Sequence, residues 1–497
     1  MSGMTRRGAI AGLVAGSAMA PIIAKAQSRT GAPSAAAEAA AAATPFRPVT
    51  PALTEYIAGA QTAAVPEPVR ERARMHILDT LASIVACRDL EAGRLGRAYA
   101  LGAGGKGSST ILGTTGRAGI VDAVFAGAMA GHAAEINDFI PSAYVQPGPS
   151  IVSAAFALAE ARNLSGRQVT NAVIAGYELA GRMPKAIGTP ALFRAGIANH
   201  GIGPVFGTAA ASSSLMGLKP EAIAHVLSYS AQQASGSWQW LLDVRHVEKA
   251  FVFAGMGARN GLQSALMVET GFTGVADSLD AEGGWLRSPA FEKADRAYLV
   301  DGLGTQFELD HAAFKRYPTG GPTQPAVQAL LELRKQVKPE EVTRILIEMP
   351  GRADAFAGAK MPALNLPYIA ALIMIDGRLD FTAVQSLERM HNDPKIDAFR
   401  KLVQVIEDKA QEAPDGEARV ESARVTIERN RKPSLVKFVP YVTGFPSHPM
   451  GLDELEAKTG ELLEPLLGRT RSRDIIARLR GFEDESDVHK LIALIAR

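Results

Sequence analysis

Cysteine is nearly absent from this sequence, since Cys87 is the only one in 497 residues. A single thiol excludes an internal disulfide and a metal cage built from thiolates. Cys87 lies in the apolar stretch HILDTLASIVAC, a setting typical of a small buried hydrophobic side chain. The 9 histidines are scattered, and no HExxH pattern or dense acidic cluster occurs, so the sequence predicts no metal site.

Long runs of like charge are also missing, and the formal net charge is only +2. Nucleic-acid-binding proteins usually carry a concentrated basic stripe, so we expect no nucleic-acid partner. No GxGxxG follows a predicted strand, and the glycine-rich KGSSTILGTTG lacks the order of a phosphate-binding loop, so no cofactor is expected. Beyond residues 1–26 no apolar run is long enough to span a bilayer, and no membrane partner is expected for the mature chain.

The first 26 residues have the features of an export signal. They combine Arg6-Arg7, a short apolar run and Ala24-Lys25-Ala26, which is typical of a twin-arginine signal peptide cleaved after Ala26. The alternative is an uncleaved, accidental basic start. Residues 27–48 are rich in alanine and indicate a flexible tether. We therefore predict a periplasmic mature protein.

Helical periodicity dominates residues 49–304, and the chain is long enough for two or more domains. The stretch VPEPVRERARMHILDTLASIVA places five apolar residues on one helical face, namely Val69, Ala73, Ile77, Leu81 and Ile84. Ser165 and Gln168 match a capping box that opens another helix. Frequent alanine and glycine residues favour close helix packing in a compact bundle.

Residues 305–440 contain stretches that alternate in hydrophobicity. EEVTRILIEM alternates through Thr343, Ile345, Ile347 and Met349, and ESARVTIER and LVKFVPYV indicate further strands. Helical stretches lie between them, so this segment predicts a separate α+β domain. Residues 441–497 are helical again and are expected to return to the bundle. The sequence thus predicts a mainly α fold, with a large all-helical bundle domain and a smaller inserted α+β domain.

Three loops rich in glycine and proline interrupt this helical sequence, and each runs into a predicted helix start. They precede Pro149, Pro204 and Pro325, and proline is favoured in the first turn of a helix. A helix start presents free N–H groups and a partial positive charge, so it suits a bound carboxylate. The alternative is that each proline only marks the beginning of a helix.

Eight stretches resemble the MmgE/PrpD family and follow one another in its order. They are ILDTLAS; AAEINDF; SGRQVTNAVIAGYELAGR; PVFGTAAASSSLMGL; HVEKAFVFAGMGARNG with GFTGV; FKRYPTGGPTQPAVQA; LNLPYIAALIMIDG; and SHPMGLDELEAKTG. The family includes 2-methylcitrate dehydratase, cis-aconitate decarboxylase and iminodisuccinate epimerase. The resemblance covers nearly the whole mature chain. It implies that the α+β domain is a lid, that the active site lies between lid and bundle, and that the protein is a homodimer.

The resemblance also implies three catalytic residues, Lys249, Lys315 and Tyr368. Two lysines and the helix starts would bind a substrate with two or three carboxylates. From the residues alone, Lys249 is equally typical of a surface lysine, and Tyr368 of a core aromatic with a bonded hydroxyl. We expect either Arg245 or His246 to face the cleft. The candidate substrate-binding residues are Ser142, Gln146, Arg245 and Gln324.

Residues that usually serve family members as acids and bases are missing here. The positions of their histidines fall on Gln146 or Gly148, on Ala198 and on Gln324. Of the family's DFDD motif, only the first aspartate is kept, in Asp138-Phe139-Ile140-Pro141. Glutamine cannot relay a proton near neutral pH. The remaining acid–base candidates are Asp138, if burial raises its pKa, and His200; each is also typical of a structural loop residue.

These observations predict a cofactor-independent lyase, of the dehydratase or decarboxylase type, that acts on a small di- or tricarboxylate. The reaction would move a proton next to a carboxylate, with cations stabilising the charge that develops. One alternative is an isomerase or epimerase of a dicarboxylate on the same fold. The other is a periplasmic carboxylate-binding protein that has lost catalysis, which the missing histidines favour.

Overall fold

A computed structural model describes residues 47–103, 107–351, 353–412 and 421–496. The predicted signal peptide, 1–26, and nearly all of the predicted tether, 27–48, lie outside these residues. The fold is mainly α, as the sequence predicts. The α-helices are Thr50–Gly59, Glu67–Cys87, Glu91–Gly102, Ile120–Gly131, Gly148–Arg162, Gly166–Ile187, Thr189–Arg194, Gly203–Leu215, Pro220–Gln233, Val247–Ala250, Met256–Glu269, Arg296–Val300, Gln324–Arg334, Ala353–Ala357, Leu366–Asp376, Phe381–Val384, Leu387–Asn392, Pro394–Arg400, Leu452–Leu467, Arg469–Arg480 and His489–Ile495.

The helix Glu67–Cys87 forms as its apolar periodicity predicts. The five side chains of its predicted inward face are all buried. They join an apolar core that also takes residues from the helices Gly148–Arg162 and Gly166–Ile187. Cys87 is fully buried, and burial raises the pKa of its thiol. Cys87 is therefore a packed hydrophobic residue, as predicted.

The helix Gly166–Ile187 begins at the predicted capping box. The Ser165 N–H donates to Gln168 Oε1 at 3.0 Å, and the Gln168 N–H donates to Ser165 Oγ at 3.4 Å. Further along, Gly176 faces Gly207 of a neighbouring helix. A Cβ atom on Gly207 would lie 2.7 Å from the Gly176 carbonyl oxygen, so the absence of side chains permits this close helix approach.

Four strands form a mixed sheet, in the order Val403–Glu407, Val342–Met349, Ala423–Arg429 and Lys432–Val439. The first pair is parallel and the other two are antiparallel. Ile345 and Ile347 are buried as predicted, but Thr343 is exposed and Val342 is buried instead. The register shifts between Val342 and Arg344, and an inserted residue reverses the alternation of faces.

Two strand features differ from the sequence expectation. The edge strand Val403–Glu407 was not predicted, because it is short and only partly buried and so carries little alternation. In the glycine-rich KGSSTILGTTG region, where the sequence indicated no strand, Ser109–Thr110 pairs with Arg117–Ala118 as a two-stranded antiparallel hairpin. Both are pairings between segments, which the composition of a single segment does not specify.

A second apolar core surrounds the four-stranded sheet. Phe139 joins this core, and its backbone pairs with Ala313 through N–H···O bonds of 3.0 and 2.7 Å. The helix Leu452–Leu467 packs against Glu67–Cys87, so the end of the chain returns to its first helices. The described residues from Pro48 onward cluster as one compact unit, and the division into 49–304, 305–440 and 441–497 stays a prediction. In the described ranges, no helix has both the length and the apolar character needed to cross a bilayer.

Asp280 anchors the first described helix, and we expect Asp280→Asn to lower the free energy of unfolding. Its carboxylate accepts the N–H groups of Val49 and Thr50 at 2.8 to 3.1 Å and pairs with Arg296 at 2.6 Å. Loss of charge-assisted bonds of this kind costs about 1–3 kcal/mol. Denaturant unfolding of the variant at neutral pH measures this difference.

The pH dependence of that difference has a definite sign. Burial raises the pKa of Asp280, but the bonds from Thr50, Val49 and Arg296 outweigh it and hold the pKa below its usual value. The contribution is therefore present at neutral pH and is lost as the pH falls through the folded-state pKa. Asp277→Asn, in the same turn but exposed, is the matched control. An equal loss in both variants would contradict the anchoring role.

Candidate functional site

A buried carboxylate lies in the loop 132–147, where the sequence predicted a break between helices. Glu135 is only 2% exposed. Lys249 Nζ donates to Glu135 Oε1, and Lys315 Nζ lies 3.2 Å from Glu135 Oε2. Lys315 Nζ also donates to the Asn137 carbonyl at 3.1 Å, which fixes the loop. Two ammonium groups from distant parts of the chain thus converge on one carboxylate.

The charges that are in direct contact at this point do not balance. Burial raises the pKa of Glu135, but Lys249 and Lys315 together outweigh burial and hold it well below its usual range. Burial lowers the pKa of Lys315, and Glu135 opposes that effect. With both lysines charged, two positive groups face one negative group in a buried setting. A buried excess of positive charge favours the binding of an anion.

Aromatic rings cover both lysines. Lys249 Nζ lies 5.3 Å from the Trp240 ring centre and 5.0 Å from that of Phe253. Lys315 Nζ lies 5.3 Å from the Phe139 ring centre. At such distances a ring face attracts an ammonium group without neutralising it. The aromatic rings therefore shield both ammonium groups from water without neutralising their charge.

Local backbone structure positions Lys249. It lies in the helix Val247–Ala250, which continues as the single π-helical turn Phe251–Gly255. Asp243 Oδ2 accepts the Lys249 N–H at 2.8 Å and so fixes the start of the helix. Single π turns occur frequently at functional sites, and this one places Phe253 against the site's histidines.

Three buried histidines surround the two lysines. His132 and His200 stack on Phe253, with ring centres 4.7 and 3.5 Å apart, and His132 Nδ1 lies 2.7 Å from Asn137 Oδ1. Burial lowers the pKa of both histidines well below the usual value. His246 Nε2 lies 3.2 Å from Glu135 Oε1. His132 and His200 are therefore neutral near pH 7.

Three of these side chains also have the composition of a metal site, which the sequence did not predict. Donor atoms of His132, Glu135 and His246 all lie within 4.8 Å of one another. The oxygens of Glu135 are, however, already paired with Lys249 and Lys315. A divalent cation there would face two ammonium groups at close range. The electrostatics of this group therefore favour an anion over a metal ion.

Asp138 lies next to this group and has its own buried partners. Its Oδ2 atom is 2.8 Å from His76 Nδ1 and accepts the Tyr177 hydroxyl at 2.5 Å. Burial, with Asp138 as the next cause, raises the pKa of Tyr177 well above its usual value. The helix start at Gly148 approaches so closely that a Cβ there would clash with Asp138 Oδ1 and Thr80 Oγ1.

The other predicted site residues have different surroundings. Gln146 is buried, and no partner for its Oε1 atom is found in the described part of the chain. Gln324 bonds to the backbone of its own loop, including the Tyr317 carbonyl at 2.8 Å. Ser142 is exposed, and Arg245 is exposed and paired with Glu91. Tyr368 is buried in the core around the sheet, and its hydroxyl donates to the Ala383 carbonyl at 2.7 Å.

A second buried ion pair stabilises the loop 132–147. Lys458, from the helix Leu452–Leu467, lies 2.5 Å from Asp79 Oδ1 on the helix Glu67–Cys87. Lys458 Nζ also donates to the Ile136 carbonyl at 2.8 Å. The C-terminal part of the chain thus holds the residue that directly follows Glu135.

The structure therefore brings together Lys249, Lys315 and His200, which the sequence predicted, and Glu135, which it did not. His132 and Glu135 were readable as polar residues three apart in the otherwise apolar MAGHAAEI. Of the pair Arg245 and His246, it is His246 that faces the buried carboxylate. The partners of Glu135 come from remote segments of the chain, so no local sequence pattern indicated that it belongs to the site.

Family models match both parts of the chain. A model of the MmgE/PrpD N-terminal domain matches residues 51–295, and a model of the MmgE/PrpD C-terminal domain matches residues 317–481. The chain belongs to the MmgE/PrpD family. Three similar curated proteins come from Aspergillus.

Those relatives carry a common activity in their names. The cis-aconitate decarboxylase-like protein oryM of Aspergillus oryzae is 25% identical over 406 residues, which cover 73% of this chain and 80% of that protein. The cis-aconitate decarboxylase of Aspergillus terreus is 23% identical over 486 residues, covering 90% of this chain and 96% of that protein. The similarity supports a lyase-type reaction for this MmgE/PrpD protein.

Proposed function

We propose that this protein is a cofactor-independent lyase, of the decarboxylase or dehydratase type, that acts on a small di- or tricarboxylate. The observation that carries the proposal is the convergence of Lys249 and Lys315 on the single buried carboxylate of Glu135. The surplus positive charge suits a multiply charged anion. Membership of a family with named decarboxylases supports the reaction type.

The two lysines have hydrogen-bonding capacity left for a substrate. An ammonium group has three N–H donors. Lys315 uses its donors for Glu135 and the Asn137 carbonyl, and Lys249 uses one for Glu135. The remaining donors would bind a substrate carboxylate. They would also stabilise the enediolate-like charge that forms when the neighbouring carbon exchanges a proton or loses carbon dioxide.

The finer expectations from the resemblance belong to the same proposal. Residues 305–440 would act as a lid that excludes water and so strengthens the charge contacts. Tyr368 would take part by exchanging its bond to the Ala383 carbonyl for one to the substrate. We also propose a homodimer and, from the N-terminal signal, a periplasmic location. Size-exclusion chromatography and cell fractionation test these two points.

Ligand binding gives a first prediction. Citrate-like and aconitate-like tricarboxylates are expected to raise the melting temperature by several degrees, because a ligand at 100 times its Kd stabilises by about 2.7 kcal/mol. Their amide or ester analogues should have no effect, since they lack the charges that the lysines bind. A shift with neutral analogues and none with tricarboxylates would contradict the proposed site.

Product analysis separates the possible reactions. Each ligand that binds is incubated with enzyme in heavy water and followed by NMR. A lyase forms a new alkene or releases carbon dioxide, whereas an epimerase incorporates deuterium without either change. Binding with neither turnover nor exchange would instead support a carboxylate-binding protein and exclude the lyase.

A further inference from the structure

By the resemblance, the positions of the family's histidines fall on Gln146 or Gly148, on Ala198 and on Gln324, so another residue is needed as the proton acceptor of the proposed reaction. We infer that His246 is this catalytic residue and that its Nδ1 atom exchanges the proton with the substrate carbon, with Glu135 as its buried counter-charge. This inference rests on the proposed function, because it names the acid–base group of that same site.

The bond between His246 and Glu135 fixes the role of each ring nitrogen. His246 Nε2 lies 3.2 Å from Glu135 Oε1, and a carboxylate can only accept, so we assign the N–H to Nε2. Nδ1 then carries the basic lone pair. In the described ranges no partner for Nδ1 is found, although the side chain is only 8% exposed. A histidine oriented by a carboxylate, with its other nitrogen unengaged, is the arrangement of an activated general base.

The backbone at His246 is held in an unfavourable conformation. Its φ and ψ are 61° and 22°, the left-handed region, which few residues other than glycine adopt. Such strain costs on the order of 1–3 kcal/mol and collects at functional sites. His246 lies immediately before the helix Val247–Ala250. The turn allows both His246 and Lys249 to reach Glu135.

The other acid–base candidates do not combine a carboxylate partner at one ring nitrogen with a second nitrogen that is unengaged. His132 is oriented by the neutral amide of Asn137, and its ring is stacked on Phe253. His200 is stacked on the same ring, and neither of its nitrogens has a partner in the part of the chain that the structure describes. Asp138 already bonds to other side chains through Oδ2. Of these four residues, only His246 has one nitrogen within hydrogen-bonding distance of a carboxylate and its other nitrogen without a partner in the described residues.

The proton balance of the step is simple. In the deprotonating direction the C–H bond breaks, its electron pair stays on carbon and delocalises into the adjacent carboxylate, and the proton bonds to Nδ1. In a decarboxylation His246 starts as the imidazolium, having taken its proton from solvent; the C–C electron pair stays on carbon, carbon dioxide leaves, and the Nδ1–H group gives its proton to that carbon. The charged or titratable groups facing His246 are Glu135, His132 and Lys249, with Lys315 beyond Glu135.

Two variants test the inference. Asparagine tolerates the left-handed backbone, and glutamine keeps an amide donor for Glu135, but neither carries a basic nitrogen. We expect His246→Asn and His246→Gln to lower kcat at least about 100-fold, the lower end of what general acid–base catalysis contributes. KM and the melting-temperature shift with the substrate should change little. Deuterium incorporation at the substrate carbon should fall in parallel with kcat.

Controls keep this test separate from the proposed function. His489→Asn, at an exposed position at the start of the helix His489–Ile495, should leave kcat unchanged. If wild-type protein turns over no carboxylate, the proposed function fails first. If wild-type turns over but either folded His246 variant keeps kcat within a few fold, or loses only ligand binding, the inference is overturned. A full loss in His132→Asn alone, with active His246 variants, would assign the role to His132.

Discussion

Lys249→Met is expected to lower kcat/KM for the carboxylate substrate by about 10²–10³-fold, and Lys315→Met by a similar factor. This is the loss seen when one donor to a developing anion is removed from a buried site. Removing both lysines, with Glu135→Gln to avoid an unpaired carboxylate, should cost about 10⁴-fold or more. Initial-rate kinetics with each purified variant measure these losses.

The size of the effect follows from the burial of both ammonium groups. Lys249 and Lys315 are 4% and 1% exposed, so water cannot replace the charge that methionine removes. Methionine keeps much of the apolar stem of lysine, which limits packing losses. In either single variant, Glu135 keeps one lysine partner, so we expect the fold to be retained.

Lys185→Met is the matched control for this experiment. Lys185 also pairs with a buried carboxylate, Glu308, at 2.6 Å, but it has no contact with the Glu135 group. Its replacement should lower stability to a similar degree and leave kcat/KM of the folded protein unchanged. Equal kinetic losses in Lys185→Met and Lys249→Met would mean that stability, not anion binding, explains the result.

Lys458→Met is expected to have the largest effect on stability, about 3–5 kcal/mol of the free energy of unfolding. Breaking a buried ion pair leaves one charge without its partner, and that is the usual cost. Here Asp79 would lose Lys458, and the Ile136 carbonyl beside Glu135 would lose its donor. Guanidinium unfolding at several pH values measures the loss.

The stability loss in Lys458→Met should also depend on pH, and the direction of that dependence can be predicted. Burial raises the pKa of Asp79, and Lys458 is the main group that opposes this, so its removal should raise the pKa further. A group with a raised folded-state pKa contributes stability at low pH that is lost as the pH rises. The deficit of Lys458→Met should therefore grow as the pH rises above the usual pKa of an aspartate.

A second change identifies the unpaired charge as the cause. Asp79→Asn combined with Lys458→Met removes both charges and should recover part of the loss. Lys401→Met, which removes the exposed partner of Asp397, should cost less than about 1 kcal/mol. A double variant no more stable than Lys458→Met would show that the bond to the Ile136 carbonyl carries the effect.

Local signals were sufficient for much of the fold. The apolar face of Glu67–Cys87, the capping box at Ser165 and the strand alternation around Ile345 each depend on residues close in sequence, and each is present as predicted. The bulge that buries Val342 and exposes Thr343 depends on pairing with the strand Ala423–Arg429. The edge strand Val403–Glu407 likewise exists because it pairs with another segment.

For the site, the order of family-like stretches indicated Lys249, Lys315 and the loop between two helices. It did not indicate Glu135, because the partners of that residue are remote in sequence. Lys249 lies 114 positions further along the chain, and Lys315 lies further still. It also did not distinguish Arg245 from His246 as the residue that faces the cleft. The left-handed turn at His246 turns one side chain toward Glu135, while Arg245 pairs with Glu91 at the surface.

The sequence by itself determined the family, the mainly α fold and the positions where helices break, since periodicity, capping and turn residues act over a few positions. Only the tertiary structure decided which carboxylate meets which ammonium group. Pairing of buried charges is set by the packing of distant helices, and the energy that enforces it appears only once water has been excluded.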